Sequence, residues 1–335
     1  MNAVLKTVRD RYSAEQIAAF YATGYWQPTS FNALVVEQAG RRGDQTFIFD
    51  GSTSLTYAAF RERALRLAVG LGRRGVRRGD RVAVQLPNWT DFPVIAAALS
   101  RIGAILVPIM PIYREDEVAY VLRHSGAVAA VTCDEFKGFQ HRTMFLELRS
   151  AAPDLRTVYI ARTPAGVDTS ETPSLDSVMV DGELTSLEAE AGPDSSPDDG
   201  FLIVYTSGTT SRPKGCFHTF NTLRASASAI IEALGYTEWD VQFGPSPVTH
   251  STGLLTSVVL PLIAGARSHL MEAWNPEEAL RRIEEHGCTA AVTATPFLQM
   301  LMEAYDPATH DASSLRLWVC AGSPIPGAVV ERSRA

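Results

Sequence analysis

The chain is 335 residues long, 46% of them hydrophobic, with a formal net charge of −7. That length and apolar content can bury a substantial core, divided between two lobes. The acidic balance gives no support to nucleic-acid binding, which favours basic patches. Four scattered cysteines, Cys133, Cys216, Cys288 and Cys320, form no Cys-x-x-Cys pair. Their spacing argues against a zinc site or a disulfide framework and fits a reducing compartment. The N-terminus lacks the uninterrupted apolar core of a signal peptide. The most apolar region, 92–113, is interrupted by Arg101, Pro93, Pro108 and Pro111, so it reads as helix, turn and strand, not as a membrane span. A cytoplasmic protein with no transmembrane segment is the expectation.

Taken in order, Ser13-Ala14-Glu15-Gln16 fits a capping box that opens a short helix towards Gly24. Residues 1–27 read as an arm. A first α/β lobe over 28–162 follows. It starts with a helix from Phe31 to Gly40, a hairpin around Asp50-Gly51, and a helix from Tyr57 to Leu71 with apolar residues on one side. Strands over Arg81–Leu86, Ile105–Val107 and Ala127–Thr132 then alternate with helices over Asp91–Ile102 and Glu115–His124. Such alternation implies a parallel sheet with right-handed crossovers. Between Arg162 and Arg212 no Lys or Arg occurs while acidic residues accumulate. Residues 163–199 therefore read as a solvated acidic connection, mobile in part.

The second lobe, 200–335, repeats the alternation. Its strands are expected at Phe201–Val204, Val241–Phe243, Arg267–Met271, Thr289–Thr293 and Leu315–Cys320. A helix over Thr252–Ala264 should break near Pro261, and Asn275-Pro276-Glu277-Glu278 is a strong helix start. The predicted fold is α/β, with two parallel-sheet lobes and flanking helices.

One stretch organises the rest: Thr206-Ser207-Gly208-Thr209-Thr210-Ser211-Arg212-Pro213-Lys214-Gly215. It leaves an apolar strand and is read as entering a helix over His218–Leu234. Glycines permit close approach of a ligand to the backbone, Ser and Thr hydroxyls donate to phosphate oxygens, and Lys214 adds a mobile charge. A Ser/Thr/Gly linker is the alternative by composition. The order Lys214-Gly215-Cys216 excludes a Walker A loop.

The stretch resembles the signature of the adenylate-forming superfamily, which includes acyl-CoA synthetases, luciferases and peptide-synthetase adenylation domains. It departs at Ser211, where glycine is commoner. Leu86-Pro87-Asn88 together with Val107-Pro108 to Pro111 resembles a second signature; by themselves these residues read as packing and turns. Acyl-CoA synthetases also carry a segment similar to Pro247-Val248-Thr249-His250-Ser251-Thr252-Gly253. There the resemblance implies that His250, Ser251 and Gly253 border the acid, although a lone loop histidine is more often structural. Neutral Ser251 offers an amino group no charge partner, so a plain carboxylic acid is implied over an amino acid. Gly322, Ser323 and Pro324 resemble a segment that flanks adenine, and otherwise read as a tight turn. The pattern from Gly265 to Gly322 most resembles medium-chain and cyclohexanecarboxylate acyl-CoA ligases.

The resemblance implies a two-step reaction. A medium-chain or alicyclic carboxylate attacks the α-phosphate of Mg²⁺–ATP, giving an acyl-adenylate, and coenzyme A then displaces AMP. Thr206, Ser207, Gly208, Thr209, Thr210 and Lys214 would hold phosphate, with Lys214 and His250 as the catalytic candidates and no protein metal ligand assigned. The superfamily's later motifs do not follow Pro326. Thr237-Glu238 has the wrong position to replace them and reads as a turn after a helix. The expectation is a front part of a ligase with little or no activity alone. A non-catalytic nucleotide- or acyl-binding module, or a piece completed by another polypeptide, are the alternatives.

Overall fold

The computed structural model describes residues 7–206 and 212–333. Helix α1 (Ala14–Ala22) starts from the Ser13–Gln16 capping box, closed in both directions. In α2 (Phe31–Arg42) the Ser30 hydroxyl caps by accepting from the Ala33 amide. Hairpin strands β1 (Thr46–Phe49) and β2 (Ser54–Thr56) lead into α3 (Tyr57–Arg73). The alternation then runs β3 (Arg81–Gln85), α4 (Asp91–Ile102), β4 (Ile105–Pro108), α5 (Glu115–Ser125) and β5 (Ala127–Thr132). A short hairpin of β6 (Glu135–Phe136) and β7 (Phe139–Gln140) precedes α6 (His141–Leu148) and β8 (Thr157–Ile160).

Beyond them lie α7 (Leu184–Ala191), β9 (Gly200–Thr206), β10 (Lys214–Thr219), α8 (Phe220–Leu234) and β11 (Val241–Gly244). Next come α9 (Ser251–Leu254), a π-helical turn (Leu255–Val259) and α10 (Leu260–Ala264). The expected break near Pro261 takes the form of this π segment, and the chain stays helical through the proline. Proline removes the amide that would bond the Ser257 carbonyl. The Ser268 hydroxyl donates to that carbonyl at 2.7 Å instead. The last elements are β12 (Arg267–Leu270), α11 (Pro276–His286), β13 (Ala290–Thr293), α12 (Thr295–Ala304), β14 (Leu317–Cys320) and α13 (Gly327–Arg332).

The two six-stranded sheets do not follow chain order. One runs β10-β9-β4-β3-β5-β8 and the other β14-β13-β11-β12-β1-β2. Neighbours are parallel except in the pairs β1–β2 and β9–β10. The early hairpin thus joins the late sheet, with Ile48 opposite Ser268, and late β9 joins the early sheet, with Leu106 opposite Leu202. Periodicity reveals a buried strand but not its neighbour, since every strand of a covered parallel sheet looks alike.

Between the sheets lies one continuous apolar core that includes residues of α2, α3, α4 and α10. Residues 91–101 of α4 are all buried, as a helix packed on every side must be. Within the acidic stretch α7 is docked on the fold, while acids such as Glu171, Asp181 and Glu183 stay exposed. Leu187 of α7 packs on Leu65 and Val69 of α3. Glu188 pairs with Arg61 at 3.0 Å and with buried Arg101 at 3.1 Å, and Glu190 meets Arg73 at 2.7 Å. Its acids answer arginines of α3 and α4 that lie a hundred residues away in sequence. Among the described residues, no helix is long and apolar enough to cross a membrane.

Candidate functional site

In open α/β sheets, ligands gather outside the carboxyl ends of parallel strands, where successive connections leave on opposite faces. In the first sheet that point lies between β3 and β5, and the turn Pro87-Asn88 leaves β3 there. In the second sheet it lies between β11 and β13, where the His250 loop leaves β11. These two points touch. The Asn88 side chain donates to the carbonyls of Ser246 and Met271 at 3.0 Å and of Gly244 at 3.3 Å. Its oxygen accepts from the Val248 amide at 2.8 Å.

A cavity of about 310 Å³ opens at this meeting. Pro87, Met110 and Ile112 line it from one sheet, and Pro245, Pro247 and Trp274 from the other. His250, Ser251 and Gly253 are not on its wall; their loop borders it through the two prolines. His250 is exposed at the surface. Its Nδ1 accepts from the Thr252 amide at 3.2 Å, which caps α9. Local desolvation lowers the pKa of the ring below the usual histidine range, favouring the neutral form. Gly253 is there for space. A Cβ at that position would lie 2.0 Å from the Pro247 carbonyl oxygen, a backbone atom that cannot move aside.

The organising stretch differs from its expected geometry. Strand, loop and helix were predicted; the structure has strand, loop and strand. β10 pairs antiparallel with β9, placing Lys214 opposite Thr206 and Gly215 opposite Tyr205. The helix begins only at Phe220, and its first turn is already closed by a Thr219–Thr222 capping box. No helix N-terminus is therefore offered at the loop. Thr206 and Lys214 are exposed, and Lys214 has no hydrogen-bond or ion-pair partner among the described residues. Ser207, Gly208, Thr209, Thr210 and Ser211 lie outside the described residues.

Helix α5 steadies both feet of this hairpin. The Tyr120 hydroxyl donates to the Pro213 carbonyl at 2.9 Å. His124 Nδ1 and the Tyr205 hydroxyl are 2.8 Å apart. Burial, then the neighbouring Tyr120, raises the pKa of Tyr205, so its phenol keeps its proton. At the far end of the second sheet, the Ser323 hydroxyl accepts from the Thr295 amide at 3.1 Å and bonds the Thr295 hydroxyl at 3.0 Å. That ties the Gly322-Ser323-Pro324 turn to the start of α12. Gly322 and Pro324 are exposed.

A charged clasp joins the sheets beside the cavity. Arg162, at the end of β8 with φ +50°, bonds Asp50 from the β1–β2 turn and Asp91 at the start of α4. It also lies 4.5 Å over the Trp89 ring. Burial by itself would raise the Asp50 carboxyl. Hydrogen bonds from the Thr90 amide and Arg162, with the guanidinium charge, outweigh that and hold it below the usual range. Sequence reasoning missed Asn88, Arg162 and Tyr120 as contributors. The Leu86-Pro87-Asn88 resemblance was the one signal pointing towards any of them.

Fold and site thus define an α/β unit of two sheets in which the turn after β3 meets the loop after β11. Residues 35–335 match the family described as AMP-binding enzyme, and the chain belongs to that family. It is 32% identical over 318 residues to the medium-chain fatty-acid–CoA ligase of Escherichia coli (strain K12), across 94% of this chain and 55% of that protein. With the 2,3-dihydroxybenzoate–AMP ligase of Bacillus subtilis (strain 168) it shares 27% identity over 325 residues, across 96% of this chain and 58% of the other. The apo structure of MbtA from Mycobacterium smegmatis superposes with a TM-score of 0.84 at 29% identity, covering 96% of this chain and 57% of that one. The chain spans about half the length of the curated relatives it matches.

Proposed function

We propose that this chain carries the acid-activating part of an ATP-dependent ligase, which forms an acyl-adenylate and passes the acyl group to coenzyme A. One observation carries the reading. Lys214 stands opposite Thr206 at the loop end of the hairpin, its side chain exposed and without a partner among the described residues. A carboxylate and a triphosphate repel each other, so their reaction needs positive charge and donors placed in advance. Lys214 would supply the charge, Thr206 a hydroxyl, and the stretch 207–210 further donors. Among the described residues, no cluster of three or more His, Cys, Asp or Glu side chains is arranged for a metal. Mg²⁺ would then enter with the triphosphate, keeping most of its oxygen ligands from phosphate and water.

For the acid, the loop of His250, Ser251 and Gly253 would border the site through Pro245 and Pro247, and the Gly322–Pro324 turn would flank the adenine. Neutral Ser251 and a neutral His250 suit an uncharged acyl group, and the name of the Escherichia coli relative supports a medium-chain acid. An alicyclic acid fits the same chemistry. Titration of ATP into the chain, followed by a pyrophosphate-release screen of straight-chain, alicyclic and aromatic acids on a polypeptide containing it, tests the proposal. ATP binding that needs Lys214, with release fastest for medium-chain or alicyclic acids, is the expected result. Binding indifferent to Lys214→Ala would refute the phosphate assignment. Release with amino acids alone would refute the acid assignment.

A further inference from the structure

We infer that Asn88 is a positioning residue for the acid: from a turn on one sheet, it sets the path of the His250 loop on the other. The inference rests on the proposed role of His250, and the argument begins with the backbone of 244–248. This segment leaves β11 and is buried apart from Pro247, which is half-buried. Buried amides and carbonyls outside regular structure need partners. One side chain serves the Gly244 and Ser246 carbonyls and the Val248 amide.

Asn88 is 4% exposed and carries two donor hydrogens and one acceptor oxygen. Three carbonyls, of Gly244, Ser246 and Met271, share its two hydrogens, and the Val248 amide takes its oxygen. Close substitutes lose part of this set. Aspartate is the same size but has no donors, leucine has neither function, and serine lacks the reach. Because the contacted groups follow both β11 and β12, the amide fixes the loop to a frame of two strands.

The constraint then passes along the loop. Pro247 stands between two residues held by Asn88. Its carbonyl accepts from the His250 amide at 2.9 Å and abuts Gly253, where no side chain fits. The His250 carbonyl in turn accepts from the Leu254 amide at 3.0 Å. The path from Asn88 to His250 therefore runs through Pro247 without a free joint. A shift of the Pro87-Asn88 turn moves the histidine with it, so the relative placement of the sheets becomes a property of the acid site.

The test compares Asn88→Asp with a second buried amide that does similar structural work elsewhere. Gln38 is 2% exposed, donates to the Leu262 carbonyl at 3.0 Å, and accepts from Arg42 at 2.9 Å, away from the His250 loop. Urea denaturation, hydrogen exchange, and titrations with octanoate and with ATP are measured on the wild-type chain, Asn88→Asp and Gln38→Ala. In Asn88→Asp, exchange of the 246–253 amides should rise at least about tenfold, while that of 214–219 stays unchanged. Octanoate affinity should fall about tenfold, with ATP affinity within about twofold of wild type. Gln38→Ala should lose stability without either selective change.

Unchanged exchange at 246–253, or equal losses of octanoate and ATP affinity, would overturn the inference. If Asn88→Asp does not fold, Asn88→Ser, which keeps a small polar group, takes its place under the same criteria. A wild-type chain that binds neither octanoate nor ATP contradicts the proposed function instead. The exchange pattern alone then decides whether Asn88 positions the loop.

Discussion

Two regions of this molecule hold charged side chains next to backbone turns and treat them in opposite ways. At the junction of the sheets, the Asp50 side chain is fully buried and every strong charge has a partner: Arg162 for Asp50 and Asp91, and the Thr90 amide for Asp50 as well. At the loop end of the β9–β10 hairpin, the Lys214 side chain is exposed and unpaired among the described residues. A buried charge must be matched within the fold, since water is not there to solvate it. An exposed lysine keeps its hydration, costs the fold little, and stays available to an anion. The junction is built for stability and geometry. The hairpin end leaves its charge to solvent.

The largest expected effect would come from opening the junction. Arg162→Ala leaves a buried carboxylate at Asp50 and should destabilise the chain by about 3–5 kcal/mol in urea denaturation. A loss below about 1 kcal/mol would mean that water replaces the guanidinium, and the contrast would fail. At the hairpin the prediction reverses. Lys214→Ala should leave the urea midpoint within about 0.5 kcal/mol of wild type. In a polypeptide competent for adenylate formation, it should slow that step roughly 10²–10³-fold, read by pyrophosphate release.

Acid should act on the closed interior before the hairpin loop. Burial, helped by His286 and Arg282, pushes His269 down to about 3, and burial, helped by Arg114, pushes His141 to about 4, from 6.5. The unfolded chain takes up protons below about pH 6.5 that the folded chain refuses, so stability falls as pH drops from there towards 4. Each ring contributes up to about 1.4 kcal/mol per pH unit. His269→Phe, which can keep the stack on Phe243 and His286, should flatten that slope. An unchanged slope would place the acid sensitivity elsewhere.

The smallest effect should come from Tyr120→Phe. It removes one hydroxyl from the Pro213 carbonyl and should weaken ATP binding roughly fivefold, the worth of one neutral hydrogen bond. Titration of the variant with ATP reads it directly. No change would mean that β9–β10 pairing alone holds the hairpin feet in place.

Most helices and parallel strands were legible from caps and periodicity. Asn275-Pro276-Glu277-Glu278 opens α11 where expected, and Gly287 closes it in the left-handed conformation. β10 was not legible. Only Phe217 and Thr219 of its six residues are buried, so its period is faint, and the Ala- and Leu-rich run after it drew the helix start forward. Asn88 could be read only as a turn residue, because its four partners lie more than 150 positions away. The docking of α7 was hidden because the arginine partners of Glu188 and Glu190 are remote in the same way.

The sequence by itself determined most of the elements, the family signature from Thr206 to Gly215, and the chemistry expected of Lys214. Those depend on neighbours along the chain and on the side chains themselves. The tertiary structure decided which strands share a sheet, that Lys214 stands across from Thr206 on a paired strand, and that Asn88 ties the His250 loop to the opposite sheet. Such facts depend on which buried backbone groups meet. One hydrogen-bonding side chain can satisfy several of them only after the chain has folded.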